Sequence, residues 1–290
     1  ERQGGDGVRL LLPKEQDWQQ VADLMKDKFP LLEVKDRTVV QDQVQVLFRI
    51  EESQVSRIKK LAVDQGLETI RNRIDQFGVS EPDIRTQGEN RILIQLPGIK
   101  DPQRAIDLIG KTALLEFKLV DEQRSVEEAL KGRVPAGDKI YYSRKVDPVT
   151  GQVHRSAYLL KDRTLLTGEY LTNAEVRIDT QYNRPYVALS FDDRGGKLFE
   201  KITGENVKKR LAIVLDDNVY SAPTIQDRIS GGNAIIEGQF TMDEAKDLAV
   251  VLRAGSLPAP VQILEERTVG PSLGRDSIRK GLISMAVGGV

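Results

Sequence analysis

The sequence predicts an α+β fold in two parts, one inserted into the other, and three observations predict it. Val44, Val46 and Phe48 alternate with polar residues, the two-residue period of a half-buried strand. Leu67, Ile70, Ile74 and Phe77 recur at helical spacing, with Glu68, Arg71, Asn72 and Asp75 mostly on the opposite side. Both periods return in a second block, after a more polar and irregular stretch over about 121–183.

The elements follow in order. Residues 8–12 read as a strand closed by Pro13, and 14–29 as a helix with Trp18, Val21, Leu24, Met25 and Phe29 at helical spacing, stopped by Pro30. A strand within 38–50 leads into a long helix over 51–77, with Gly78 at its C-terminal cap. Strands at 83–87 and 91–96 flank a turn at Gly88, Glu89 and Asn90. Asp101 and Pro102 supply the N-cap and first position of a helix to Ile109, because proline needs no N–H there. A strand at 113–120 completes the order βαββαβ from Thr38, which is that of ferredoxin-like domains. The second block reads as a strand at 186–191, a helix at 195–202, a buried strand at 211–215 and a short strand at 234–237. A helix over 241–253 then opens with a capping box at Thr241 and Glu244, and a last strand is expected at 261–269.

Composition narrows the function. The 290 residues carry 43 Lys and Arg against 44 Asp and Glu, a net charge of −1, without the dense basic surface that nucleic-acid binding needs. No cysteine is present, so thiolate metal sites and thiol nucleophiles are excluded. His154 is the single histidine, which leaves no two-histidine metal site within the chain. From Gly281 to Val290 the chain is apolar and uncharged, following Arg279 and Lys280; ten helical residues would cover about 15 Å, half a bilayer core. The expectation is that 278–290 begin a truncated transmembrane helix.

No motif points to catalysis, so no enzyme activity, catalytic residue, metal or cofactor is expected. Gly110, Lys111 and Thr112 mimic part of a phosphate loop, but that motif needs an earlier glycine where Ala105 stands, and it opens a helix whereas these residues end one. The pairs Asp192–Asp193 and Asp216–Asp217 lie beside glycines and Asn218 and read as turn and capping residues. Arg71 and Arg73 read as a solvated face or as partners of helix-terminal carbonyls. Leu257, Pro258, Ala259 and Pro260 form a stiff connector, since both prolines fix φ and lack a donor; this is the expected hinge.

Several stretches resemble the SecD family of protein-export subunits. They are Glu68 to Pro82 (ETIRNRIDQFGVSEP), Ile94 to Gly98, Leu108 to Phe117 (LIGKTALLEF), Asp216 to Pro223, Ile229 to Gly232, Leu252 to Pro260 (LRAGSLPAP) and Glu266 to Gly274 (ERTVGPSLG). At the start the family pattern Gly-Leu-Asp-Leu-x-Gly-Gly is reduced to Gly4-Gly5. The resemblance implies the first large periplasmic domain of an inner-membrane subunit, attached through flanking membrane helices. It implies SecF, the SecY, SecE and SecG translocon and YajC as partners, an unfolded secretory polypeptide as client, and the proton gradient as energy source. The expected organisation is a ferredoxin-like base, 1–120 plus 258–272, with a head at about 121–257 inserted; the polypeptide-binding residues are expected in the head.

Overall fold

The computed structural model describes residues 2–3, 7–40, 43–146, 153–238, 240–268 and 284. It is a mixed α/β structure with four sheets among these residues. By contacts the chain divides into two units, 1–68 with 83–95, and 69–82 with 96–290.

The first unit holds β1 (Arg2–Gln3), β2 (Gly7–Leu12), α1 (Trp18–Lys28), β3 (Leu32–Val40) and β4 (Gln43–Ile50). Its antiparallel sheet has the order β1-β2-β4-β3. The alternation read from the sequence sets the register: Val44, Val46 and Phe48 face Leu12, Leu10 and Val8 across the β2–β4 ladder. Trp18 and Met25 of α1 close that core, the Trp18 ring lying 6.2 Å from Phe48. Leu24 and Phe29, expected on the same helical stripe, are exposed. The long helix α2 (Glu52–Phe77) begins in this unit, where Gly66 lies beside Ile92 of the hairpin β5 (Asp83–Gln87) and β6 (Arg91–Gln95).

The second unit takes the last turns of α2, with Ile70, Arg73 and Ile74 buried, and ends that helix at Gly78 with φ +85°. It continues through α3 (Pro102–Gly110), β7 (Leu115–Leu119), α4 (Val126–Leu130), β8 (Asp138–Val146), β9 (Val153–Lys161), β10 (Leu166–Thr167), β11 (Leu171–Asp179) and β12 (Arg184–Phe191). Then come α5 (Asp193–Glu205), β13 (Leu211–Leu215), β14 (Asn218–Ser221), β15 (Asn233–Ile236) and α6 (Met242–Ala254). A six-stranded sheet, β10-β7-β13-β14-β8-β9, and a three-stranded sheet, β11-β12-β15, share one apolar core with α5 and α6. Phe117, Phe191 and Phe199 form its aromatic centre, with centroids 5.3 to 5.8 Å apart in tilted and edge-on contacts.

The βαββαβ element order is present, but hydrogen bonding spreads its four strands over three sheets. The reason is edge occupancy: β4 is bonded on both edges by β2 and β3, and β7 by β13 and β10, so neither has an edge left for the β5–β6 hairpin. The stretch read as polar and irregular contains the paired strands β8 and β9 and the whole of β11. Of the expected last strand, 261–268 carry no regular secondary structure, and Val261, Ile263 and Leu264 are exposed. Residues 278–290, expected to start a membrane helix, lie outside the described residues except Ser284. Among the described residues no helix is long and apolar enough to cross a membrane.

Candidate functional site

The sequence motifs fall into structural positions. Asp192 caps α5, its carboxylate accepting from the Gly195 N–H at 2.7 Å, and Asp193 sits in the first turn. Asp217 pairs with Lys139 at 3.2 Å on the surface. His154 is exposed on β9. The Gly110–Lys111–Thr112 segment does end a helix. Its backbone groups answer side chains of this chain: past α3, the N–H groups of Ala113 and Leu114 donate to the Asp216 carboxylate at 3.0 and 2.9 Å. Ala113 holds φ +61°, a left-handed conformation that these two bonds help fix.

The carbonyl side of the same loop belongs to Arg73. Its residue is 0% exposed, although the sequence puts it beside exposed Arg71 on a charged helix surface. One terminal nitrogen donates to the carbonyls of Leu108 and Ile109, each at 3.1 Å, and to that of Lys111. The other donates to Thr112 at 3.5 Å and to Gly255 at 2.9 Å. Leu108 and Ile109 end α3, and Gly255 follows α6, so the guanidinium collects carbonyls that a helix end leaves unpaired. Burial pulls its pKa from 12.5 down to about 10, partly offset by the negative charge of Asp216. Nε finds no partner among the described residues.

A second arginine joins the same two helices. Arg104 of α3 makes a forked pair with Asp247 of α6, at 2.8 to 3.2 Å, and reaches Asp243 at 3.4 Å. Those bonds raise its pKa, hydrogen bonding to Asp247 being the largest cause. Its guanidinium also lies 5.5 Å above the Phe77 ring. The expected hinge begins at this junction: Leu257 is 3% exposed and its N–H donates to the Thr112 carbonyl at 2.8 Å, whereas Pro258, Ala259 and Pro260 are exposed.

Away from the junction, α5 and α6 pack on the Val187, Leu189 and Phe191 face of the three-stranded sheet. Its other face presents Tyr186, Ala188 and Ser190, half-buried, with Ile235 beside Ala188 and 48% exposed. No sequence motif marks this face; only the strand period through 186–191 places those side chains together.

Comparison with known proteins gives these features a family. Residues 138–259 match the model of the SecDF P1 head subdomain, and 63–122 that of the N-terminal part of the P1 domain of the protein translocase subunit SecDF. The protein translocase subunit SecD of Syntrophobacter fumaroxidans is 58% identical over 284 residues, spanning 98% of this chain and 53% of its own. That of Calditerrivibrio nitroreducens is 55% identical, over 92% of this chain and 52% of its own. The chain belongs to the SecD family. It spans about half the length of the curated SecD relatives it matches. A solved SecDF described as a membrane component that enhances protein export is 30% identical, with a TM-score of 0.55, over 90% of this chain and all of that one. SecDF in a super-membrane-facing form is 37% identical, with a TM-score of 0.58, over 78% of this chain and 30% of that one. Arg73, Arg104 and 111–114 lie in the N-terminal family segment, while Asp216, Asp247 and Gly255 lie in the head segment.

Proposed function

We propose that this SecD-family chain is the periplasmic part of a Sec accessory subunit of the bacterial inner membrane, and that its head holds emerging unfolded preprotein. The reading divides the chain into a base of βαββαβ order, 1–120 with 258–272, and a head at about 121–257. The head segment matched by the family model ends at Ala259, inside the expected hinge, which supports this division. The open face of the three-stranded sheet carries the binding reading. Tyr186, Ala188 and Ile235 offer a small apolar surface among polar neighbours, suited to holding extended chain without sequence specificity. Movement of the head about 257–260 then keeps the client from sliding back, driven by the proton gradient through membrane helices together with SecF, the SecY, SecE and SecG channel and YajC.

The test is a fluorescence titration of the chain with an unfolded secretory precursor, using its folded mature form as control. Selective binding, weakened at least about tenfold by Ile235→Asp, is the expected result. Equal affinity for both forms, or none for either, sinks the reading. The second function in play is a passive structural module that docks SecF or another translocon subunit. Under it, removing the head abolishes SecF association; under the first, assembly survives and export fails.

A further inference from the structure

Resting on the client-binding reading above, we infer that the unfolded polypeptide joins the three-stranded sheet as a fourth strand, along the open edge of β15. The ladder decides which backbone groups stand at that edge. In an antiparallel pair, opposed residues alternate between exchanging hydrogen bonds and exchanging none. The Phe191 N–H donates to the Gly232 carbonyl at 2.8 Å, so the bonded pairs continue as Leu189–Ala234 and Val187–Ile236. The N–H and C=O groups of Asn233 and Ile235 therefore point away from β12. Both residues are exposed, and β15 is the last strand of its sheet. Among the described residues no backbone hydrogen bond reaches those outward groups.

The opposite edge of the sheet is guarded. The same alternation turns the backbone groups of Ala174, Val176 and Ile178 outward from β11. Arg253 of α6 donates to the Ala174 carbonyl at 2.6 and 3.1 Å, and the ion-paired Glu175 and Arg177 line the open face beside it. Capped backbone groups and charges along an edge are how sheets turn away added strands. The four residues of β15 carry no charge, and the 48% exposed Ile235 flanks its outward groups. The occupant this suits is an extended, uncharged segment of polypeptide. Its main chain supplies donors and acceptors whatever its sequence, and a β-branched side chain opposite Ile235 would extend the apolar strip formed with Ala188. A second copy of this chain suits the edge less well. β15 is about 14 Å long, and two such edges paired offer far less than the roughly 1,000 Å² of a specific interface.

The test is fluorescence anisotropy of a labelled, Lys-flanked peptide of alternating Thr and Val, titrated with the unmodified chain. An added strand bonds through every second amide. Methylating the amide nitrogens of one residue type, all Val or all Thr, should weaken binding at least about tenfold, and methylating the other type should leave it unchanged. Loss from both sets, or from neither, overturns strand addition while the client reading stands. Binding of the unfolded precursor without the unmethylated peptide does the same. Binding of neither removes both. Ile235→Pro tests the protein side, because it deletes an N–H that bonds nothing in β12 and keeps an apolar side chain. It should lower peptide affinity about tenfold with the melting temperature held within about 2 °C. Unchanged affinity in the folded variant overturns the inference, and where the variant does not fold the methylated peptides on the unmodified chain decide. A dimer in sedimentation that the peptide disperses would give the edge to a second copy and overturn it too.

Discussion

A guanidinium taken out of water needs its N–H groups answered, and Arg73 meets most of that demand with carbonyls left over at helix ends. Asp216 does the converse, supplying a carboxylate to two N–H groups of a left-handed turn. Asp216→Ala leaves the part-buried Ala113 N–H without its acceptor, and we expect a loss of about 1–2 kcal/mol in urea unfolding. Asp216→Asn, which keeps one acceptor oxygen, should cost less. Elsewhere Asp121, 5% exposed, accepts from Lys161 at 2.6 Å and from the Gln123 N–H at 2.9 Å. The Lys161 bond is the main reason its pKa is lowered from 3.8 to about 2. The folded state therefore favours the ionised form. Its contribution is complete above pH 4 and fades as the pH falls toward 2. Thermal melts should show Asp121→Asn less stable than the unmodified chain at pH 7, with the difference shrinking steadily below pH 4; a constant difference would show that the carboxylate charge plays no part.

Helix α5 shows how one residue type takes opposite roles within one element. A Cβ at Gly195 would lie 2.5 Å from the Tyr170 Cβ and 3.1 Å from that of Phe191, both fixed by the core. A Cβ at Gly204 would meet only the flexible Arg228 side chain, at 3.4 Å. Gly195→Ala should destabilise by about 2 kcal/mol through overpacking, whereas Gly204→Ala should stabilise by about 0.5 kcal/mol through helix propensity. Denaturant midpoints of the two variants check this, and shifts of the same sign would contradict the packing argument. Elements such as α5 and α6 were legible because their signals are local: Thr241 and Glu244 form the capping box read from their spacing. The hairpin β8–β9 was not. Its strands mix Tyr141, Tyr142, Leu159 and Leu160 with Lys139, Arg144 and Arg155, so composition hides the pairing that register later supplies. Arg73 was hidden for a related reason. Its acceptors lie 35 to 182 residues away, and nothing near it in sequence distinguishes it from exposed Arg71.

For the whole molecule, sheet membership depends on which strand edges remain open, a non-local choice that periodicity cannot express; β4 and β7 keep the expected order yet bond elsewhere. The connector is different, because its stiffness is written in two prolines whose φ angles are set by covalent rings. Pro258 and Pro260 are exposed and follow directly on the buried Leu257, so any force reaching the head by this route passes through a segment with few backbone states. Replacing both with glycine removes no core contact and should leave the melting temperature within about 2 °C. A glycine linker behaves as a flexible coil and transmits position poorly. In full-length SecD, Pro258→Gly with Pro260→Gly should therefore broaden the distance between labels at Lys100→Cys and Glu237→Cys and lower preprotein export several-fold, while binding of unfolded precursor by the head stays unchanged. Normal export with a broadened distance would mean that stiffness at 257–260 is not what couples the proposed head to the proposed base, and the loop at 111–114, held by Arg73 and Asp216, would carry that coupling instead.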